Sequence, residues 1–280
     1  MRLISPLNSF NGVAAGQTAT VKLAGQRRIH GLFLQTNATD ATQLDRFVRE
    51  IRLKLGSRTL YQLTVPQMLA LFAYYGIPIG AGALEFHFSR AQSRTPTGEE
   101  FTAFNTVGLD DITIEVEFRT NAEFNALASV TTGFTPTLTG FVEYDYVNDG
   151  NRAFLEVLPR SIANSGAGEI DFDTLEREGA YKAVHIFSNL VTRARVYRDS
   201  VEVRDATLAQ VNQMNRRYGN VAQTNHFPVD FGYTDQSQDI LEMTRDNGAG
   251  GKVKVSTFNL KLTTTGAGTL PAVIERAVIL

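Results

Sequence analysis

The chain contains no cysteine and no tryptophan. The first absence excludes disulfides, thiolate metal sites and cysteine nucleophiles, so stability must come from packing and assembly. Charge of one sign is also lacking. The net charge is -2, so no bulk attraction to DNA or anionic lipid is expected. The pairs Arg27-Arg28 and Arg216-Arg217 are isolated and read as solvated or interface arginines rather than a nucleic-acid groove. The segment from Met1 to Gly16 is interrupted by Pro6, Asn8 and Asn11, too broken for a secretory core, although Val13-Ala14-Ala15 resembles a cleavage site. Leu60 to Leu84 carries no charge, yet Gln62, Pro66, Gln67 and Pro78 argue against a membrane span.

What is present begins with a repeat, the feature to seek first because missing it mis-assigns the fold. Shifted by 143 positions, Val48, Arg52, Ser57, Thr64, Gln67, Tyr75 and Gly76 fall on Val191, Arg195, Ser200, Thr207, Gln210, Tyr218 and Gly219 without a gap. Each copy is an alternating strand pair, a Thr-x-x-Gln, a short helical pattern and a Tyr-Gly. The Thr-x-x-Gln predicts a capping box, in which hydroxyl and side-chain amide satisfy free backbone N–H groups at the helix start. Val65, Met68, Leu69 and Phe72 form the apolar stripe of the first helix, and Leu208, Val211 and Met214 that of the second.

Most other segments predict strands. ATVKL (Ala19 to Leu23), FVREIRLKL (Phe47 to Leu55), ALEFHFS (Ala83 to Ser89) and DITIEVEF (Asp111 to Phe118) alternate with period two. Phe141 to Val147 is expected to open the second half, and Lys252 to Leu262 to form one strand near its end. About eight strand signals per half, separated by Gly, Asn, Thr and Pro loops, predict an all-β protein. The expected architecture is a double jelly roll with a short helix inserted in each half. We place an N-terminal jelly roll at residues 1–135 and a C-terminal one at 136–280, with the boundary in the Thr131–Gly140 loop.

Catalytic and ligand motifs fail on context. Gly248-Ala249-Gly250-Gly251-Lys252 is followed by Val253 and a strand, whereas a phosphate loop needs Ser or Thr and then a helix. Gly80-Ala81-Gly82 leads from helix to strand, the reverse of a dinucleotide turn. His30, His87, His185 and His226 are scattered, and Glu85 with His87 supplies only two ligands on one strand face. The pairs Glu99-Glu100 and Asp110-Asp111 read as loop charges. No Gly-x-Ser-x-Gly is present. Asp145, Asp149, Asp235 and Asp239 are carboxylates able to take a structural calcium ion between subunits, without the ligand spacing of a dedicated loop. We therefore assign no catalytic or cofactor-binding residue, no required cofactor and no enzymatic activity. The metal ligands stay unassigned, and the surface itself is the expected function.

Several stretches resemble one family. Leu7-Asn8-Ser9-Phe10 with Val13-Ala14-Ala15-Gly16 and the strand to Leu23, Phe86-His87-Phe88, and Thr106-Val107-Gly108-Leu109 before the strand ending at Phe118 look like corticovirus-type major capsid proteins. Val184-His185-Ile186 and the block ending at Tyr218-Gly219 are similar to the same family. Its members come from tailless icosahedral bacteriophages with an internal membrane. The resemblance spans nearly the whole chain and implies a homotrimer whose six barrels form a pseudo-hexagonal tile. Such tiles would build an icosahedral virion shell over a lipid vesicle enclosing double-stranded DNA. Neighbouring capsomers, a vertex protein and viral membrane proteins are the implied partners, and the bacterial cytoplasm the implied place of synthesis. Family members can use calcium for capsid stability.

Phe72 to Tyr75 and Phe141 to Tyr146 are candidate subunit contacts, and Met1 to Phe10 a candidate inner contact. The alternative function is a carbohydrate-binding jelly roll, with Tyr144-Asp145-Tyr146 and Tyr233-Thr234-Asp235 as its aromatic and acidic sites.

Overall fold

The structure is a computed structural model that describes residues 1–89, 96–147, 152–234, 239–248 and 250–280. The first half runs β1 (Leu3–Pro6), β2 (Thr18–Lys22), β3 (Arg28–Thr36), α1 (Ala41–Phe47), β4 (Val48–Leu55), β5 (Arg58–Thr64), α2 (Val65–Tyr74), β6 (Ala83–His87), α3 (Pro96–Glu100), β7 (Phe104–Asn105), β8 (Ile112–Phe118), α4 (Asn121–Ala128) and β9 (Leu138–Asp145). The second runs β10 (Ala153–Asn164), β11 (Gly168–Phe172), β12 (Ala180–Ile186), β13 (Val191–Arg198), β14 (Val201–Thr207), α5 (Leu208–Tyr218), β15 (Phe227–Asp230), β16 (Leu241–Glu242), β17 (Thr244–Asp246), β18 (Lys252–Lys254), β19 (Phe258–Thr264) and β20 (Gly268–Ile279).

Alternation in sequence becomes alternation in burial. In β8, Ile112, Ile114, Val116 and Phe118 point into the core while the residues between them are half-buried. The same rule sorts β19. These strands form two barrels with one topology. The first packs β1–β9–β3–β6 against β2–β8–β4–β5, and the second packs β10–β20–β12–β15 against β11–β19–β13–β14. Each is a jelly roll of two antiparallel sheets over an apolar core.

The 143-residue repeat is real at the level of atoms. β4, β5 and α2 begin at Val48, Arg58 and Val65, while β13, β14 and α5 begin at Val191, Val201 and Leu208. Both hairpins turn through positive φ, at Gly56 (57°) in one and at Asp199 (48°) and Ser200 (66°) in the other. Both helices start with complete capping boxes, Thr64 with Gln67 and Thr207 with Gln210. Residues 60–84 form the end of β5, α2 and the turn into β6, and among the described residues no helix is long and apolar enough to cross a membrane.

The barrels join through sheet edges. β5 of the first and β10 of the second approach in parallel, with Tyr61 opposite Val157, so two four-strand sheets continue into one. The twelve-residue strands β10 and β20 reach both cores: Phe154 and Val278 pack in the first, Ile162 and Leu270 in the second.

Three expectations differ from the structure. The strand expected to open the second half is β9, which lies between β1 and β3 in the first barrel, so the sheets change hands after Asp145 and not within Thr131–Gly140. Lys252 to Leu262 is two strands, because Val255 turns inward to bond Met243 and Asp199 caps the following backbone at Ser256 and Thr257. Three further helices are present. Asp40 caps α1, and Thr120 with Glu123 forms a capping box on α4, whose sequence signal was there to be seen. Met1 to Phe10, the candidate inner contact, contains β1, which pairs in register with β9 and alternates in exposure.

Phe154 is fully buried against Phe88 and Phe104. Phe154→Ala should cost about 3–5 kcal/mol, against about 1 kcal/mol for removing the exposed cap in Thr207→Ala. Urea unfolding of both variants checks the ranking.

Candidate functional site: the seam between the barrels

The tip of α2 crosses from the first barrel into the second. Its capping box and the apolar residues Met68, Leu71 and Phe72 fix the helix against the first core. This fixation carries Tyr74 and Tyr75 out over the sheet β10–β20–β12–β15. The Tyr74 hydroxyl lies 3.0 Å from both Asn215 Oδ1 and Asp230 Oδ2, and Asn220 Nδ2 donates to it at 3.3 Å. The Tyr74 carbonyl accepts from Val221 N at 2.7 Å. The Tyr75 hydroxyl donates to Glu275 and lies 3.2 Å from His185 Nε2, while Lys182 Nζ sits 3.6 Å from the Tyr75 ring centre and 2.9 Å from Glu275. Arg58 reaches across from β5 to Glu156 at 3.0 Å.

This arrangement holds the barrels together and has little chemistry beyond that. The cavity it encloses is about 40 Å³, lined by Tyr61, Phe72, Tyr75, His87, Lys182 and Glu275 among others, which is room for water and not for an organic substrate. Burial pushes the Tyr74 and Tyr75 hydroxyls far above the usual phenol range, with the nearby carboxylates adding to it, so both remain protonated donors. His226 stacks on Phe187 and meets His185 with 3.0 Å between Nε2 and Nδ1. Burial, then the neighbouring His185, pulls its pKa down to about 2 against the opposing pull of Glu275. In this contact one of the two facing ring nitrogens donates and the other accepts.

A second polar cluster lies inside the first barrel. The buried Arg28 donates to Asp145 through Nη2 at 2.7 Å and through Nε at 3.2 Å, and its Nη2 also lies 3.0 Å from Glu100. His30 bridges Asp145 at 2.8 Å and Ser89 at 2.5 Å. Burial pushes the Asp145 carboxyl up, but its bonds from Arg28, His30 and Val147 N win and hold it at about 2. One ligand atom each from His30, Glu100 and Asp145 falls within 4.8 Å of the others. The guanidinium of Arg28 already stands where a cation would, and two carboxylates with an imidazole are not the six to eight oxygens that calcium takes. The cluster therefore does not fit calcium.

The structure distributes the remaining candidates widely. Asp149 and Asp235 lie outside the described residues, and Asp239 is exposed and bonded to Thr234. Glu85 and His87 do meet, at 2.7 Å, with His87 edge-on to Phe33 and Phe72. Glu99 and Glu100 are in α3, not a loop, and pair with Arg2 and Arg28. Asp110 and Asp111 are in the loop before β8, with Asp111 paired to Lys22 at 2.7 Å. Arg28 is buried, contrary to expectation, whereas Arg27 lies over the Tyr144 ring and Arg216 and Arg217 are exposed. Gly80 and Gly82 belong to the turn into β6, and Gly248, Gly250 and Lys252 to the β17–β18 hairpin. Phe72 to Tyr75 is spent within the chain and not left for a subunit contact. Phe141 and Tyr146 are exposed, and Tyr233 is half-buried against Tyr218.

A family described as viral coat protein P2, N-terminal domain, matches residues 4–143, and its C-terminal domain matches residues 154–278. The chain belongs to the viral coat protein P2 family. As a P2 coat protein it is a structural component of the virion and not an enzyme. Solved structures agree on the fold. The major capsid protein P2 from bacteriophage PM2 superposes with a TM-score of 0.82 at 20% identity, covering 100% of this chain and 98% of that one. The STIV major capsid protein does so at 0.68 and 12%, covering 100% and 97%. The capsid of PBCV-1 follows at 0.63 and 10%, covering 99% and 93%. No curated protein matches the sequence. The double jelly roll is thus the fold of this P2 coat protein.

Two outcomes follow from the seam. Tyr74→Phe strands the buried Asp230 and Asn215 acceptors and should cost about 1–3 kcal/mol in urea unfolding. The second concerns acid. Below pH 6.5 the unfolded chain protonates residue 226, while the folded chain holds it neutral down to about pH 2, so stability falls with pH over that window. Asp145 adds a loss confined to the range between 3.8 and about 2. Urea midpoints measured on the acid side of pH 6.5 should therefore decline, and His226→Gln should flatten the decline above the Asp145 range. An unchanged slope in that variant would assign the effect elsewhere.

Proposed function

We propose that this P2 coat protein is the major capsid protein of a bacterial virus and assembles as a homotrimer. Three chains bring six barrels of one topology, which suits a pseudo-hexagonal capsomer tiling an icosahedral shell. The observation that carries this reading is the duplication itself: two jelly rolls of identical strand order, fused edge to edge in one chain. A ring of six similar units from three identical chains requires such a duplication, and an enzyme or a single-site lectin does not. Likeness to a phage capsid protein supports a bacterial host, and with it synthesis in the bacterial cytoplasm. In the same reading the shell lies over an internal membrane around double-stranded DNA, with a vertex protein and membrane proteins as neighbours. Structural calcium, if used, bridges chains rather than occupying the Arg28–Asp145 cluster.

Light scattering after size exclusion tests the trimer. A mass near three times 30.8 kDa is expected. A monomer both with and without added calcium would remove the capsomer reading.

A further inference from the structure

The shift of 143 that carries β5 and α2 onto β14 and α5 also carries β6 onto β15, with Leu84 to His87 falling on Phe227 to Asp230. Both barrels therefore build the same junction of strand, helix and strand, and one copy serves as a control for the other. In the first barrel Leu63, Met68 and Phe72 pack into the core, and the Phe72 ring meets His87 edge-on at 4.9 Å. In the second barrel the same four positions are Ala206, Val211, Asn215 and Asp230. Every one of these side chains is smaller than its counterpart. The pair of facing rings has become an amide and a carboxylate.

The smaller walls leave a space of about 10 Å³, lined by Ala206, Val211, Asn215, Asp230 and Arg204 among others. That is about the room one water takes, and too little for a larger molecule. Asn215 and Asp230 are only 2% and 3% exposed. Each places one side-chain atom 3.0 Å from the Tyr74 hydroxyl, Asn215 through Oδ1 and Asp230 through Oδ2. Their other polar atoms, Asn215 Nδ2 and Asp230 Oδ1, are buried and have no hydrogen-bond partner among the described residues. Arg204 does not relieve them, since its Nη1 donates at 2.6 Å to the Asp230 carbonyl and not to the carboxylate. Buried polar atoms left in this way retain the full cost of losing water, which is why native interiors pair nearly all of them.

The lining also selects what fits. A donor on one wall and an acceptor on the other ask for a group that both accepts and donates. A bare cation would meet the amide hydrogens of Asn215, and an anion would meet the carboxylate of Asp230. Water satisfies both walls.

We propose that this space is a built water site, in which one water accepts from Asn215 Nδ2 and donates to Asp230 Oδ1. With Tyr74 it closes a ring of hydrogen bonds: hydroxyl, Asp230, water, Asn215 and back to the hydroxyl. The Tyr74 hydroxyl has a single hydrogen, so it serves Asp230 and Asn215 one at a time. The water joins the two residues independently of it. The socket that receives the α2 tip is thus hydrated where its counterpart in the first barrel is filled by the rings of Phe72 and His87.

A high-resolution crystal structure or cryo-electron-microscopy map of the wild-type protein tests the site directly. Density for a water within hydrogen-bonding distance of both Asn215 Nδ2 and Asp230 Oδ1 is expected. A dry space, or a direct bond between those two atoms, overturns the proposal. A double-mutant cycle tests the link in solution, in the Tyr74→Phe background, where no hydroxyl joins the two residues. Asn215→Leu and Asp230→Leu, close in shape to the originals, should each lower the urea midpoint by stranding the polar atoms that remain. Together they should lower it by less than the sum of the two losses, because the second change removes a group the first has already stranded. Additive losses in that background mean that nothing bridges the pair, and they too overturn the proposal. The map requires no variant to fold, so it decides the matter even where the combined variants are too unstable to measure.

Discussion

Sheet edges and buried polar groups both demand partners, and at the seam between the barrels one element answers both demands. The approach of β5 to β10 covers two edges that would otherwise expose open ladders. The α2 tip then closes the polar gap beside them, placing its tyrosine hydroxyls against Asn215, Asp230, His185 and Glu275. Remove that tip and a group of buried acceptors and a buried lysine would lose their closure together. The relative placement of the barrels, and with it the shape that the chain offers to other copies, depends on this contact.

Part of this was legible in the sequence because it is local. The Thr-x-x-Gln boxes, the alternating strands and the glycine and serine turns are read from windows of a few residues, and the shift of 143 aligns them without gaps. Likewise, the hairpin reading of the Gly248–Lys252 stretch followed from the strand after it. The strand β9 was misplaced because a loop rich in Thr and Gly looks the same whether it lies inside a barrel or between two. Its partners, β1 and β3, are more than one hundred residues away. α4 carried a capping-box signal, but it buries no residue of its own, so no apolar stripe reinforced it.

The polar clusters were not legible at all. Arg28, His30 and Asp145 meet only because β3 pairs with β9, and nothing in the spacing of 117 or 115 residues foretells it. His185 and His226 looked scattered and are adjacent. Tyr74 looked like core or interface and is a third thing, an anchor between two cores of one chain. Long-range antiparallel pairing converts distant singletons into sites, and a single sequence records the singletons only. Within these clusters arginine and tyrosine donate to the buried carboxylates Asp145, Asp230 and Glu275.

The strand order also bears on the timing of synthesis. β9 sits between β1 and β3, so the first barrel lacks only its partners' edges once residue 145 has left the ribosome. β20 sits between β12 and β10, in the middle of its sheet. Until Gly268–Ile279 emerges, the second barrel is split down its centre and β10 has no antiparallel neighbour to hold it at the seam. A nascent chain therefore cannot present the joined pair of barrels until that strand has emerged.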